Sequence, residues 1–225
     1  MHRATYTNDA NWTGVRYDLC VLFLSGGSSE RPLHILKTLW KHPSLSGPWL
    51  KREDYPESTR TVKLGSAAAE QQRPLPHTLY GILTLPGNRT VGCDSSWLSG
   101  NGADVLVFGI PTGLLGTVFR FDYSWHIKTN PWVKLLDHTL VELADAVYKE
   151  IPFDGAVACE EAGSLFSSKN SLTSNRVGAF LTPRVEEQAE GGALLLSPKL
   201  YTQLNLTASY KTLPSGLRWL AQYAL

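Results

Sequence analysis

The chain has one methionine, three cysteines and a formal charge of only +1 across 225 residues. Each scarcity narrows the field. Nucleic-acid binders carry a clustered basic excess, and 21 Lys and Arg against 20 Asp and Glu leave none here. Cys20, Cys93 and Cys159 lie far apart, are odd in number and show no CxxC spacing. They argue against a disulfide framework or a structural zinc site and read as free, buried thiols. Long apolar runs are missing too. The longest, Tyr17–Leu24 and Val105–Leu115, are strand-sized, well short of the ~20 residues a membrane helix needs. The first residues, MHRATYTNDANWTG, place no apolar stretch behind the first basic residue as a secretory signal would. The expectation is a cytoplasmic protein with no membrane contact.

What is present can build a core. Hydrophobic residues make up 43% and charged residues 18%, a globular balance rather than a disordered one. The length suits one large domain, residues 1–225, better than two small ones. Charge is uneven along it. Residues 1–75 carry +3, residues 76–175 carry −4 and residues 176–225 carry +2. An acidic middle third favours a basic partner.

Val15–Leu24 (VRYDLCVLFL) reads as a buried first strand, and Pro32 opens a helix over Leu33–Lys41 that Pro43 and the Ser44–Pro48 stretch stop. Residues 51–78 are polar and proline-rich, an exposed excursion with one short strand at Thr59–Leu64. Tyr80–Leu85, Pro86-Gly87-Asn88 and Thr90–Cys93 form a hairpin pattern. Ala103–Ile110 is a further strand, and Leu114–Phe119 continues as a strand or a short helical turn. Asn130-Pro131 caps a helix to about Glu150, with Trp132, Leu135, Leu136, Leu140, Leu143, Ala144 and Val147 on its apolar stripe. Lys134, Asp137, His138, Glu142, Asp145 and Lys149 take the other face. Strands follow at Phe153–Glu160, Arg176–Thr182 and Ala193–Leu196, then a short helix capped by Ser197 and a last helical turn in Leu217–Ala224. Many strands with one long helix and one or two shorter ones predict an α+β fold, a mixed but mostly antiparallel sheet.

Familiar catalytic patterns are absent. Leu24–Pro32 (LSGGSSERP) runs from strand through a Gly/Ser loop to a helix, as an anion cradle would, but lacks Walker A and GxGxxG spacing. Gly92–Gly102 (GCDSSWLSGNG) reads as a hairpin loop; as a nucleophile site it would use Cys93 or Ser95–Ser96 with His77 or His126 as base. No GxSxG elbow supports it. The histidines show no HExxH or HxH spacing. Glu160-Glu161 reads as a solvated strand end. Neither a metal nor a cofactor is expected. Trp12, Trp49, Trp97 and Trp125 sit in Ser/Gly/Pro-rich contexts rather than on periodic stripes, a setting in which aromatics anchor interfaces.

Four segments carry a resemblance: ADVLVFGIPTGLL (Ala103–Leu115), the helix after Asn130, GAVACEEAG (Gly155–Gly163), and VGAFLTP (Val177–Pro183) with GGALLLSP (Gly191–Pro198). Their order resembles that of immunity proteins from bacterial polymorphic-toxin systems, the Imm52-like group among them. It covers roughly the last 120 residues. It implies a non-enzymatic, cytoplasmic α+β protein that binds and blocks a cognate toxin, with no catalytic residues to carry over.

The expected function is therefore a protein-binding module whose partner meets Asp94, Trp97, Asp104, Trp125, Asp154, Glu160 and Glu161. A small hydrolase or transferase built on Cys93–Ser96 is the alternative reading, and an assembly subunit is the third.

Overall fold

A computed structural model describes residues 1–24, 30–55, 78–99, 103–120, 129–163, 192–207 and 209–221. The apolar run after Gly14 becomes β1 (Arg16–Phe23). Strand geometry sends alternate side chains to opposite faces. Tyr17, Leu19, Val21 and Phe23 therefore enter the main core, while Cys20 and Leu22 join a second, smaller one. Seven more strands of two to eleven residues and the short β2 (Leu45–Trp49) complete the sheet. They are β3 (Thr78–Leu85), β4 (Arg89–Ser99), β5 (Asp104–Pro111), β6 (Gly155–Glu160), β7 (Ala193–Leu196), β8 (Lys211–Thr212) and β9 (Arg218–Ala221). The nine-stranded order is β2-β3-β4-β5-β1-β6-β7-β9-β8, and the pairings are antiparallel. The fold is α+β.

Helices cover one face. α2 (Arg31–Trp40) buries Ile35, Leu36, Leu39 and Trp40, and the long α4 (Trp132–Glu150) lies beside it. α4 buries Val133, Leu136, Leu140, Leu143, Ala144 and Val147, each larger side chain removing apolar area worth about 1.5–3 kcal/mol. Its buried surface is wider than the predicted stripe. Asp137 and Asp145, assigned to the solvent side, are buried. Asp137 accepts from the Tyr17 hydroxyl and from the Gly192 N–H at 3.2 Å. Asp145 accepts from the Ser215 N–H at 3.2 Å and pairs with Lys149 at 2.9 Å, the expected i,i+4 contact. Neighbouring segments wrap the helix flanks and bring donors with them. Asn130 does not cap through its side chain: the helix starts at Trp132, and the Asn130 carbonyl accepts the Val133 N–H at 3.0 Å.

Other sequence expectations shift for tertiary reasons. The Ser44–Pro48 stretch does more than stop α2, because most of it pairs with β3 as β2. The Gly92–Gly102 loop is largely strand, since β4 continues through Ser99. Thr112–Gly116 forms the short α3, and Arg218–Ala221 is a strand rather than a helical turn. Pro198–Gln203 is α5, with the Ser197 hydroxyl accepting the Leu200 N–H at 3.1 Å as its composition predicts. The expected strands at Thr59–Leu64 and Arg176–Thr182, and the excursion between 56 and 77, lie outside the described residues. No helix among the described residues is long and apolar enough to cross a membrane.

Among the described residues, helical segments pack on the opposite face at its two ends. α1 (Arg3–Thr7) and the 3-10 turn Asp9–Trp12 bring Tyr6 and Trp12 onto Trp49 and Ile82, at the β2–β3 end. α5 brings Leu200 and Tyr201 onto the β6–β7 end. Between these caps one half of the face is apolar, with Cys20, Leu22, Val105 and Val107 in the second core, and the other half carries Arg16, Asp18 and Asp94.

Candidate functional site

The register sets the floor of the open stretch. Tyr80, Asp94, Gly109 and Asp18 stand opposite one another on β3, β4, β5 and β1 and so point to the same face. Arg16, two residues before Asp18, shares that face. Its side chain crosses over Gly109 and grips Asp94 with two bonds, Nη1 to Oδ2 at 2.9 Å and Nη2 to Oδ1 at 2.6 Å. Its Nε donates to Asp18 Oδ1 at 3.1 Å, and the Gly163 N–H donates to the other Asp18 oxygen at 3.0 Å. A Cβ at position 109 would overlap the guanidinium and the Asp18 carboxylate. Glycine there is a requirement of the cluster.

Exposure is unequal within this group. Asp18 and Asp94 side chains are 3% and 8% exposed, whereas Arg16 is 35% exposed. One guanidinium serves two buried carboxylates. Burial pushes the Asp18 carboxyl above its ordinary value, and the Arg16 charge and the Gly163 N–H only partly restore it. Burial works against the Arg16 charge, but the hydrogen bonds and charges of Asp94 and Asp18 prevail and hold it protonated.

The floor opens into a cleft of about 810 Å³. One wall is aromatic. Trp12 and Tyr80 meet edge to face, with centroids 5.4 Å apart at 86°. Arg52, on the 3-10 turn Arg52–Asp54, lies over both rings, 5.3 Å from Trp12 and 6.0 Å from Tyr80. Its Nη2 pairs with Asp9 Oδ1 at 2.5 Å, and that aspartate side chain is 85% exposed. Trp12 is fixed by donating its indole N–H to the Tyr6 carbonyl at 2.5 Å. The Tyr6 hydroxyl behind it is buried and has no hydrogen-bond partner among the described residues. Thr78, Ser96, Leu98 and Val107 complete the lining. Among the described residues no group of three or more His, Cys, Asp or Glu is placed to hold a metal ion.

The sequence-predicted residues fall into two groups at opposite ends of β1. Asp94 belongs to the cleft floor. Glu160 and Glu161 are exposed at the end of β6, and Glu161 turns the chain at φ +51° with its N–H bonded to the Arg16 carbonyl at 2.8 Å. Trp97, Asp104 and Asp154 lie towards the other end, Asp104 opposite Phe23 and so five residues, about 17 Å, along the strand from the level of Asp94. Trp97 packs against Phe23 at 5.7 Å on the helix-covered side, three residues and hence the opposite face from Asp94. Asp104 lies 3.9 Å from Arg31, and Asp154 accepts the Leu24 N–H at 2.7 Å. Trp125 lies outside the described residues.

The Cys93–Ser96 alternative fares differently. Cys93 is fully buried, and burial pushes its thiol well above the ordinary value. Ser95 is buried on the same side and accepts the Trp40 indole N–H at 3.0 Å. Only Ser96 reaches the cleft. His77 and His126 lie outside the described residues.

Sequence reasoning missed Arg16, Asp18, Trp12, Tyr80 and Arg52 as a group. One signal was available. Arg16 and Asp18 are charges at alternate positions in an otherwise apolar strand, and Gly109 interrupts the apolar run of another. Comparison with protein-family models, with curated proteins and with solved structures found no match for this chain.

Proposed function

We propose that this chain is a non-enzymatic binding module of immunity type, which seats a cognate toxin protein in the cleft between its two caps. The concentration of Trp12, Tyr80, Arg16 and Arg52 in one open cleft carries the reading. Trp, Tyr and Arg dominate the energetics of protein interfaces, because they offer large rigid area with a polar handle. The ion pairs of Arg16 with Asp94 and Asp18 hold the cleft floor in shape before a partner arrives, which lowers the ordering cost of association. The acidic middle third and the resemblance of the later segments to immunity proteins point the same way.

The test has two stages. A tagged chain exposed to lysate of its native host should retain one stoichiometric protein, and Trp12→Ala should reduce that retention. The captured protein is then expressed with and without this chain. Growth arrest relieved by co-expression supports the reading. A harmless partner, or a chain that stays alone, overturns it.

A further inference from the structure

We infer that the cleft takes a basic side chain of the partner, a guanidinium or ammonium group, at the place now filled by Arg52. This inference rests on the binding reading and names the chemistry that the same cleft selects. Three observations carry it. The cleft is one positive charge short: Asp9, Asp18 and Asp94 line it against Arg16 and Arg52. Asp18 and Asp94, both nearly fully buried, share the single guanidinium of Arg16.

The aromatic wall is built for a cation and already holds one. Trp12 and Tyr80 form an open corner, and Arg52 lies within 6.0 Å of both ring centroids, the separation at which a ring face attracts a cation. Arg52 is held there by the two rings and by one ion pair; its own side chain is 23% exposed, but its partner Asp9 is 85% exposed, and solvent screens that part of the hold. An incoming cation could take over both the rings and Asp9, while Arg52 swings into solvent. Behind the corner, the buried Tyr6 ring backs Trp12 edge to face, with centroids 5.3 Å apart.

The volume also fits. About 810 Å³ exceeds what one arginine side chain fills, so flanking peptide can follow it in. An anionic ligand would need Arg16 or Arg52 instead, and Arg52 is turned onto the rings and paired with Asp9. The Nη1–Nη2 edge of Arg16 is already spent on Asp94 and its Nε on Asp18.

The sign of one substitution separates the two chemistries. Acetyl-Gly-Arg-Gly-amide is titrated into the protein while the Trp12 indole N–H resonance is followed, with the citrulline and glutamate tripeptides as neutral and anionic controls. Arg52→Gln removes the resident cation, so the arginine peptide should bind about fivefold tighter than to the wild type. The citrulline and glutamate peptides should leave the resonance unmoved. Weaker arginine binding in Arg52→Gln, a response to the glutamate peptide, or no response to the arginine peptide in either protein overturns the inference.

Trp12→Leu, checked for folding by circular dichroism and titrated by isothermal calorimetry alongside the wild type, should lose the heat of arginine-peptide binding. Partner capture keeps the two claims apart. A partner retained equally by the wild type and Trp12→Leu would overturn the cleft assignment and leave the binding reading standing. Arginine binding with no partner captured would do the reverse.

Discussion

Gly109 and Arg16 occupy touching space on neighbouring strands, and no methyl group fits between the Gly109 backbone and the guanidinium. Gly109→Ala must therefore either bend the sheet or lift Arg16 off Asp94. Loosening a buried, hydrogen-bonded ion cluster costs about 3–5 kcal/mol when one partner is lost outright. Arg16 is one-third exposed, so a loss of about 2–3 kcal/mol is expected from urea unfolding of Gly109→Ala. An unchanged midpoint would mean that the guanidinium moves aside freely.

Asp18 gives the pH dependence one sign. Burial raises its carboxyl above 3.8, and the Arg16 charge and Gly163 N–H do not bring it back. A raised acid contributes stability that is fully present below the unfolded value and is lost as pH rises through the folded one. Asp18→Asn imitates the protonated side chain. Wild type and variant should be nearly equal in stability at pH 3, and the wild type should fall behind as pH increases towards neutrality. The comparison needs unfolding curves at a series of pH values, and a wild type that gains on the variant instead would show that Arg16 fully compensates the burial.

Asp145 gives the opposite sign. Burial alone would raise its carboxyl, but the bonds from Ser215, through both hydroxyl and N–H, and from Lys149 lower it below 3.8. Its contribution is present above the unfolded value and is lost as pH falls through the folded one. Asp145→Asn should cost about 1–2 kcal/mol at pH 7, and the deficit should close as the solution is acidified below pH 4. Thermal unfolding at several pH values reads both the size and the closure.

Cys20 and Cys93 are both fully buried, and burial pushes each thiol well above its ordinary value. The thiolate is the reactive form. A thiol reagent added to native protein at pH 8 should modify these two no faster than the chain opens, and modify them promptly in 6 M guanidinium. Rapid native labelling at Cys93 would return weight to a nucleophilic role for the Cys93–Ser96 segment.

The fold was readable wherever local pattern and tertiary context agree. The alternation of β1, the length of α4 and the Ser197 cap of α5 all follow from side-chain spacing. β4 was not readable beyond Cys93, because Asp94, Ser95 and Ser96 are turn-forming residues by composition. They persist in a strand because Arg16 holds Asp94 and the Trp40 indole holds Ser95. β2 was hidden the same way by Ser46, Gly47 and Pro48. The cleft was less legible still. Arg16 is 78 residues from Asp94, and Arg52 reaches Trp12 from another turn. No local window contains such a pair. Of the predicted contacts Asp94 lies on the cleft floor, on a strand where its Gly/Ser-rich surroundings suggest an acidic loop.

The sheet order also sets a timetable for synthesis. β1 leaves the ribosome before the other described strands, yet its neighbours are β5 and β6, which end at Pro111 and Glu160. At about 5–20 residues per second, the second of these arrives roughly 7–30 seconds after β1. Until β5 arrives, Leu19, Cys20, Val21 and Leu22 have no native strand beside them, and until β6 follows one edge of β1 can still pair with any other nascent chain. The central strand of the finished protein is thus its most vulnerable segment while it is being made. A host that slows elongation should accumulate this protein in aggregates before it loses any of its folded stability.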